Sequence, residues 1–217
     1  MIEASTLHLK NKSMSQYFLV HPDNPQARLI KKTVEHIRKG AVVVYPTDSC
    51  YALGCHLGDK HALERLRRIR QVDASHHFTI VCRDLSELSH YAVVDNSAFR
   101  SLRSYTPGPY TFILKASRDV PRRLQVSKRK TIGLRIPDHP VALALLHELG
   151  EPLISTTLIL PNESVAMTDP EDIRSRLGSQ VDVIVAAGSC GFDATTVIDM
   201  AEGNYQILRQ GKGEFKI

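Results

Sequence analysis

The run Val44-Tyr45-Pro46-Thr47-Asp48-Ser49-Cys50-Tyr51-Ala52-Leu53-Gly54 carries an apolar strand into a cluster of hydroxyls around one carboxylate. Such side chains need hydrogen-bond partners and are common in turns, so a polar turn capping a core strand accounts for the segment taken alone. Strand-end loops of α/β proteins are also where ligands sit. Further hydroxyls stand at other strand ends: Thr111, Ser155, Thr157, Thr195 and Thr196, beside Arg68, Arg70, Arg135 and Arg209. Arginine forks grip carboxylate or phosphate bidentately, and hydroxyls fix orientation. The inventory suits a ligand bearing phosphate and carboxylate. It does not suit nucleophilic catalysis, because no His or Lys base lies within sequence reach of these hydroxyls. Arg135 lies between apolar neighbours, where an unpaired guanidinium is costly, which favours a function there. Thr111, inside a strand, reads equally well as a satisfied core hydroxyl.

Several other chemistries lack their motifs. There is no Gly-x-x-x-x-Gly-Lys-Ser/Thr phosphate loop, Gly-x-Gly-x-x-Gly fingerprint, Gly-x-Ser-x-Gly elbow or His-Glu-x-x-His pair. Gly211-Lys212-Gly213 sits in a tail rather than between a strand and a helix. Of the 10 histidines only His76 and His77 are adjacent, and chain neighbours do not make a chelating face. No metal site built from protein ligands alone is expected.

Elements of alternating type must position these residues, which implies an α/β or α+β domain. Asn24 is expected to cap a helix with Pro25 at its first position, with Leu29, Ile30, Thr33, Val34 and Ile37 inward and Gly40 at its end. The strand Ala41 to Tyr45 follows, with a break at Gly54. Ala62, Leu63, Leu66 and Ile69 mark a second helix whose other face carries arginines. Phe78 to Cys82 reads as a strand, and Asp84 with Glu87 as a capping box. Ser97 to Ser104, Pro140 to Leu149 and the segment after Asp169-Pro170 read as helices. Strands fit Tyr110 to Lys115, Thr131 to Ile136, Leu153 to Leu158, Val181 to Ala186, Thr195 to Met200 and Tyr205 to Arg209. The count is about seven or eight strands and five or six helices.

A chain of 217 residues is one domain, large enough to bury a core without disulfides. Residues 1–13 read as a flexible N-terminal extension and 14–217 as the domain. Cys50, Cys55, Cys82 and Cys190 show neither disulfide nor zinc spacing, which fits a reduced, cytoplasmic protein. No apolar stretch has the length of a membrane span. Net charge is +5, and the cations cluster. Arg118, Arg122, Arg123, Lys128, Arg129 and Lys130 lie close together with Asp119 as the nearby acid, a pattern suited to a polyanion such as RNA.

The strand-end run resembles the signature of the YrdC/YciO superfamily, Pro-Thr-(Asp/Glu)-(Thr/Ser)-x-Tyr-(Gly/Ala)-Leu-Gly. Further resemblances follow in the same order: Thr106-Pro107-Gly108-Pro109-Tyr110-Thr111, Thr131-Ile132-Gly133-Leu134-Arg135-Ile136-Pro137, Pro152-Leu153-Ile154-Ser155-Thr156-Thr157 and Thr195-Thr196-Val197-Ile198-Asp199. The details are most similar to the YciO branch. The resemblance implies a twisted mixed sheet flanked by helices with a basic concave face. It also implies an L-threonylcarbamoyladenylate synthase-type activity in tRNA modification, or the related removal chemistry on tRNA. ATP with magnesium would be a substrate alongside L-threonine and bicarbonate, with no tightly bound cofactor. By the resemblance, Thr47 and Ser49 line the amino-acid pocket, Thr111 contacts nucleotide, and Arg135 grips carboxylate or phosphate. Ser155 and Thr157 sit by the adenylate, and Arg209 closes over phosphates. The resemblance also implies an alternative, a non-catalytic protein binding tRNA or double-stranded RNA. Two departures from the synthase branch bear on this. Arg68-Ile69-Arg70 stands for Lys-x-Arg, and Ile159 stands where that branch has the Asn of Ser-x-Asn.

Overall fold

Apolar residues spaced for helices alternate with short apolar runs throughout the residues that the computed structural model describes, 14–73, 76–126 and 128–216. The proposed extension, 1–13, lies outside them. In order come β1 (Gln16–Leu19), α1 (Ala27–Arg38), β2 (Val43–Tyr45), β3 (Ala52–His56), α2 (Lys60–Arg70), β4 (Thr79–Val81), α3 (Leu85–Tyr91) and β5 (Ala92–Val93). Then follow α4 (Asn96–Tyr105), β6 (Tyr110–Ala116), β7 (Thr131–Arg135), α5 (Pro140–Leu149), β8 (Leu153–Thr157), α6 (Pro170–Leu177), β9 (Val183–Ala186), β10 (Thr196–Asp199) and β11 (Gln206–Arg209). Asp59, Asp84, Asp95 and Asp169 each accept a first-turn N–H from the helix they precede, which fixes where α2, α3, α4 and α6 begin.

The strands form one mixed sheet of 11 strands among the described residues, in the order β1-β9-β2-β3-β8-β4-β7-β6-β10-β11, with β5 on β6. Alternation sorts side chains between two layers. On one face Val44, Leu53, Ile80, Phe112, Leu134 and Ile184 pack under α2, α3, α4 and α6. On the other, Val43, Tyr45, Ala52, Val81, Leu153 and Val183 pack under α1 and α5. That second helical layer covers only part of its face. The odd-numbered positions of β6 and β7 project on the side that α1 and α5 do not reach.

Three expectations differ. The first helix starts at Ala27 after Gln26, not at Asn24-Pro25. The His21 ring accepts from the backbone of Asp23 and Asn24 at 3.2 and 3.1 Å, and Gln26 Oε1 accepts from His21 N at 3.1 Å, so residues 21–26 close a turn of their own. Gly54 does not break a strand but lies within β3. A Cβ there would come within 2.8 Å of the Tyr45 ring, so the glycine makes room for that ring. Finally β1, β3 and β5 raise the strand number above the seven or eight expected. Each is short or polar at its ends, and pairing with a neighbour holds it in the sheet.

Candidate functional site

In β7 the sequence Thr131-Ile132-Gly133-Leu134-Arg135 sends Ile132 and Leu134 into the core and Gly133 and Arg135 to the open face. In β6 Thr111 and Ile113 share that face, opposite Phe112 and Leu114. Register then lines up Ser155, Thr79, Gly133 and Ile113 across four neighbouring strands. A Cβ on Gly133 would stand 3.3 Å from Thr111 Cγ2 and 3.4 Å from Thr79 Oγ1. Its absence lowers the floor of a cavity of about 380 Å³.

At one end of the floor Arg135 is buried, and its Nη2 donates to Asp48 Oδ1 and, at 3.4 Å, to Thr47 Oγ1. The pairing is one-edged. Arg135 Nε and Asp48 Oδ2 are both buried without a partner. Groups in that state usually serve a ligand or strain the fold. Thr47 itself is locked, donating to Cys50 O at 2.6 Å while accepting from the N–H groups of Ser49 and Cys50 at 3.3 Å. Its hydroxyl thereby sets the 47–50 turn that presents Asp48. Tyr45 Oη donates to Ser155 Oγ at 2.8 Å, which in turn donates to Leu53 O at 3.2 Å. Burial pushes the Tyr45 phenol up to about 12, so it stays a donor near neutral pH.

At the other end, the hydroxyls of Thr111 and Thr195 meet at 2.9 Å. Arg209 donates from Nε and Nη2 to Thr195 O at 3.1 and 2.9 Å. Arg70 and His76 complete the wall. Burial lowers the proton affinity of both arginines, and that of His76 with help from the adjacent Arg70. His76 Nε2 lies 3.2 Å from Thr156 Oγ1. Apolar surface from Ile113, Val126, Val197, Ile159 and Leu208 faces these groups. A cavity with cations at both ends and an apolar middle accommodates an organic anion with two charged termini.

The fold brings Thr47, Arg70, Thr111, Arg135, Ser155, Thr157 and Arg209 to this cavity. Ser49 is buried behind it, 3.1 Å from Thr47 Oγ1, and braces the turn. Arg68 is exposed and lies off the cavity, because Ile69 turns inward and only Arg70 follows it to the rim. Of the basic cluster, Arg118, Arg122, Lys128 and Lys130 are exposed. Arg123 instead donates to the carbonyls of Leu57 and Gly58 at 3.1 and 3.2 Å, and Arg129 forks onto Asp199. Sequence reasoning passed over Asp48, Tyr45, His76 and Lys212, whose Nζ donates to Asp48 O. Asp48 and Tyr45 lay within the run already singled out; His76 and Lys212 reach the site only through tertiary packing. Among the described residues no cluster of His, Cys, Asp or Glu could hold a metal ion, and no helix is long and apolar enough to cross a membrane.

Comparison with known proteins follows the same residues. A family model, Sua5_yciO_yrdC, described as "Telomere recombination", matches residues 35–211. The chain is 56% identical over 203 residues to the uncharacterized protein YciO of Escherichia coli (strain K12), covering 94% of this chain and 98% of that one. The crystal structure of E. coli YciO superposes with a TM-score of 0.90 over 93% of this chain and 98% of that chain. A threonylcarbamoyl-AMP synthase of Vibrio vulnificus (strain YJ016) is 31% identical over 159 residues, 72% of this chain and 84% of its own. The structure of P. abyssi Sua5 complexed with L-threonine shares the fold, with a TM-score of 0.84 at 24% identity over 91% of this chain and 58% of that chain. From the turn at Thr47 to the arginine of β11, the cavity is built within the matched residues, and the chain belongs to the Sua5/YciO/YrdC family, related to threonylcarbamoyl-AMP synthases.

Proposed function

We propose that the protein acts on the threonylcarbamoyl group in tRNA modification, holding in the cavity over Gly133 a ligand that carries a carboxylate and a phosphate. The observation that carries this reading is Arg135. It is a buried guanidinium at the cavity floor, paired on one edge to Asp48, with Nε unpartnered. The Arg135 side chain lines the cavity, where a ligand carboxylate would meet the guanidinium in a charge-assisted bond. Arg70 and Arg209 at the far wall suit phosphate oxygens. The relationship to the Vibrio synthase and the fold shared with a Sua5 complexed with L-threonine support the same reading. ATP with magnesium would enter as a substrate in the joining direction alone, and neither direction calls for a tightly bound cofactor.

Ile159 lines the cavity where the synthase branch has an amide, and Arg68 faces away where that branch has lysine. Both changes weaken the nucleotide end and favour removal chemistry on threonylcarbamoylated tRNA over joining with ATP. A second reading, a tRNA- or duplex-RNA-binding protein without ATP chemistry, is favoured by a separate surface concavity lined by Arg118, Arg122 and Lys130.

The test begins with calorimetric titration of L-threonine and pyrophosphate release from ATP. Binding of L-threonine that disappears in Arg135→Ala is the expected result. Pyrophosphate release that needs both L-threonine and bicarbonate would identify joining. Binding without release, followed by L-threonine freed from modified tRNA, would identify removal. A chain that binds neither L-threonine nor a threonylcarbamoyl compound overturns the reading.

A further inference from the structure

The connection between β9 and β10 carries an aromatic side chain that the cavity does not use. Phe192 is 63% exposed. Its segment is held firmly. A Cβ on Gly191 would lie 2.7 Å from Ser49 O, so this backbone rests on the 47–50 turn. Ala194 O accepts from Lys212 N at 2.9 Å, and Thr195 O accepts from Arg209. Lys212 Nζ in turn donates to Asp48 O. Phe192 therefore stands on a short bridge between the turn that presents Asp48 and the strand end that carries Arg209. Arg209 and Lys212 are bonded to the segment, whose own carboxylate is Asp193. Leu208, 50% exposed, continues the apolar surface from the cavity to its rim.

A phenyl ring left this exposed forgoes much of the gain that burial would bring. Beside an anion-binding cavity and cations that suit a phosphate backbone, such a ring matches what holds an unpaired nucleobase by stacking. We propose that Phe192 is a stacking platform for a nucleobase adjacent to the nucleotide in the cavity, so that the macromolecular ligand is a single-stranded polynucleotide stretch entering across the 190–195 segment. The inference rests on the preceding reading only in placing a nucleotide in the cavity; Phe192 itself lies outside the cavity lining.

The chain contains no tryptophan, so Phe192→Trp introduces a single emitter at the proposed contact. Titration with a short single-stranded RNA of mixed sequence should quench its emission, whereas inorganic polyphosphate, which has charge but no bases, should not. In anisotropy measurements with the same labelled RNA, Phe192→Ala should weaken binding about 5- to 150-fold, and Phe192→Tyr should bind like the unaltered chain. Unchanged emission at saturating RNA, equal quenching by polyphosphate, Phe192→Ala binding as tightly as the unaltered chain, or no RNA binding at all would each overturn the proposal. The L-threonine titration reports on Arg135 and the quench on Phe192, so either can fail without the other.

Discussion

Arg135 is held on one edge, and the consequences can be measured at that residue. A charge-assisted bond to a ligand contributes about 1.5–3 kcal/mol, so Arg135→Ala should weaken L-threonine binding about 10- to 150-fold in calorimetry. Arg135→Lys should recover little of this, because an ammonium cannot hold Asp48 and a carboxylate in the same fork. Gly133 gives a complementary test. Its missing Cβ leaves ordinary to tight contacts with Thr111 and Thr79 rather than a clash. Gly133→Ala should therefore melt within about 1 kcal/mol of the parent while binding ligand more weakly, since the methyl group fills the floor. Equal affinity in parent and variant would place the ligand elsewhere. The arginine and the glycine were both visible in the β7 sequence, but nothing in the chain order paired Arg135 with Asp48 across 87 positions.

At the scale of elements, α5 is capped by an unusual group. His139 Nδ1 accepts from Val141 N at 3.2 Å, which requires the unprotonated ring nitrogen. Burial lowers the His139 proton affinity, outweighing Asp48, Asp23 and Asp138, which act to raise it, while Arg135 adds to the lowering. The folded pKa thus lies below the unfolded value, so the stabilisation is present above about 6.5 and is lost as pH falls through the folded value. His76 adds a contribution of the same sign. Urea melts at neutral pH and at about pH 5 should show lower stability in acid. His139→Asn, which caps through an uncharged oxygen, should narrow that difference. The final segment is another such element. Phe215 packs among Tyr105, Tyr110 and Phe112, and Tyr110 Oη donates to Glu214 O at 2.8 Å. Phe215→Ala should raise hydrogen exchange over 206–216, which carries Arg209 and Lys212, before it affects β2 or β9. Uniform acceleration across the sheet would mean that the tail is part of the cooperative core.

Across the whole molecule, a sheet covered fully on one face and partly on the other leaves a ligand-sized opening at the uncovered end. The basic surface divides into two sets of arginines and lysines. Arg123 and Arg129 are tied to carbonyls and to Asp199, whereas Arg122 and Lys130 are exposed. If RNA docks on that side, replacing both Arg122 and Lys130 by alanine should reduce the slope of log affinity against log salt by about 2, with unchanged melting. Arg129→Ala should lower stability instead, because Asp199 is left buried beside a single backbone donor. A melting temperature unmoved by Arg129→Ala would reduce that pair to a surface contact.

Most of the helices were legible in the chain, Pro140–Leu149 to the residue, because apolar spacing, a proline at the first position and a closing glycine are local signals. The sequence by itself also determined that strand ends carry hydroxyls and arginines, since the alternation in β6, β7 and β8 is written in adjacent residues. Strand order, the route of the tail back to Asp48 and the division between structural and free arginines came only from the tertiary structure. Each of those depends on contacts between distant segments, and a guanidinium's partner is set by where another chain segment leaves a carbonyl or carboxylate. The same holds for β3, whose Gly54 reads as a break until the Tyr45 ring is seen to occupy the space that a side chain would need.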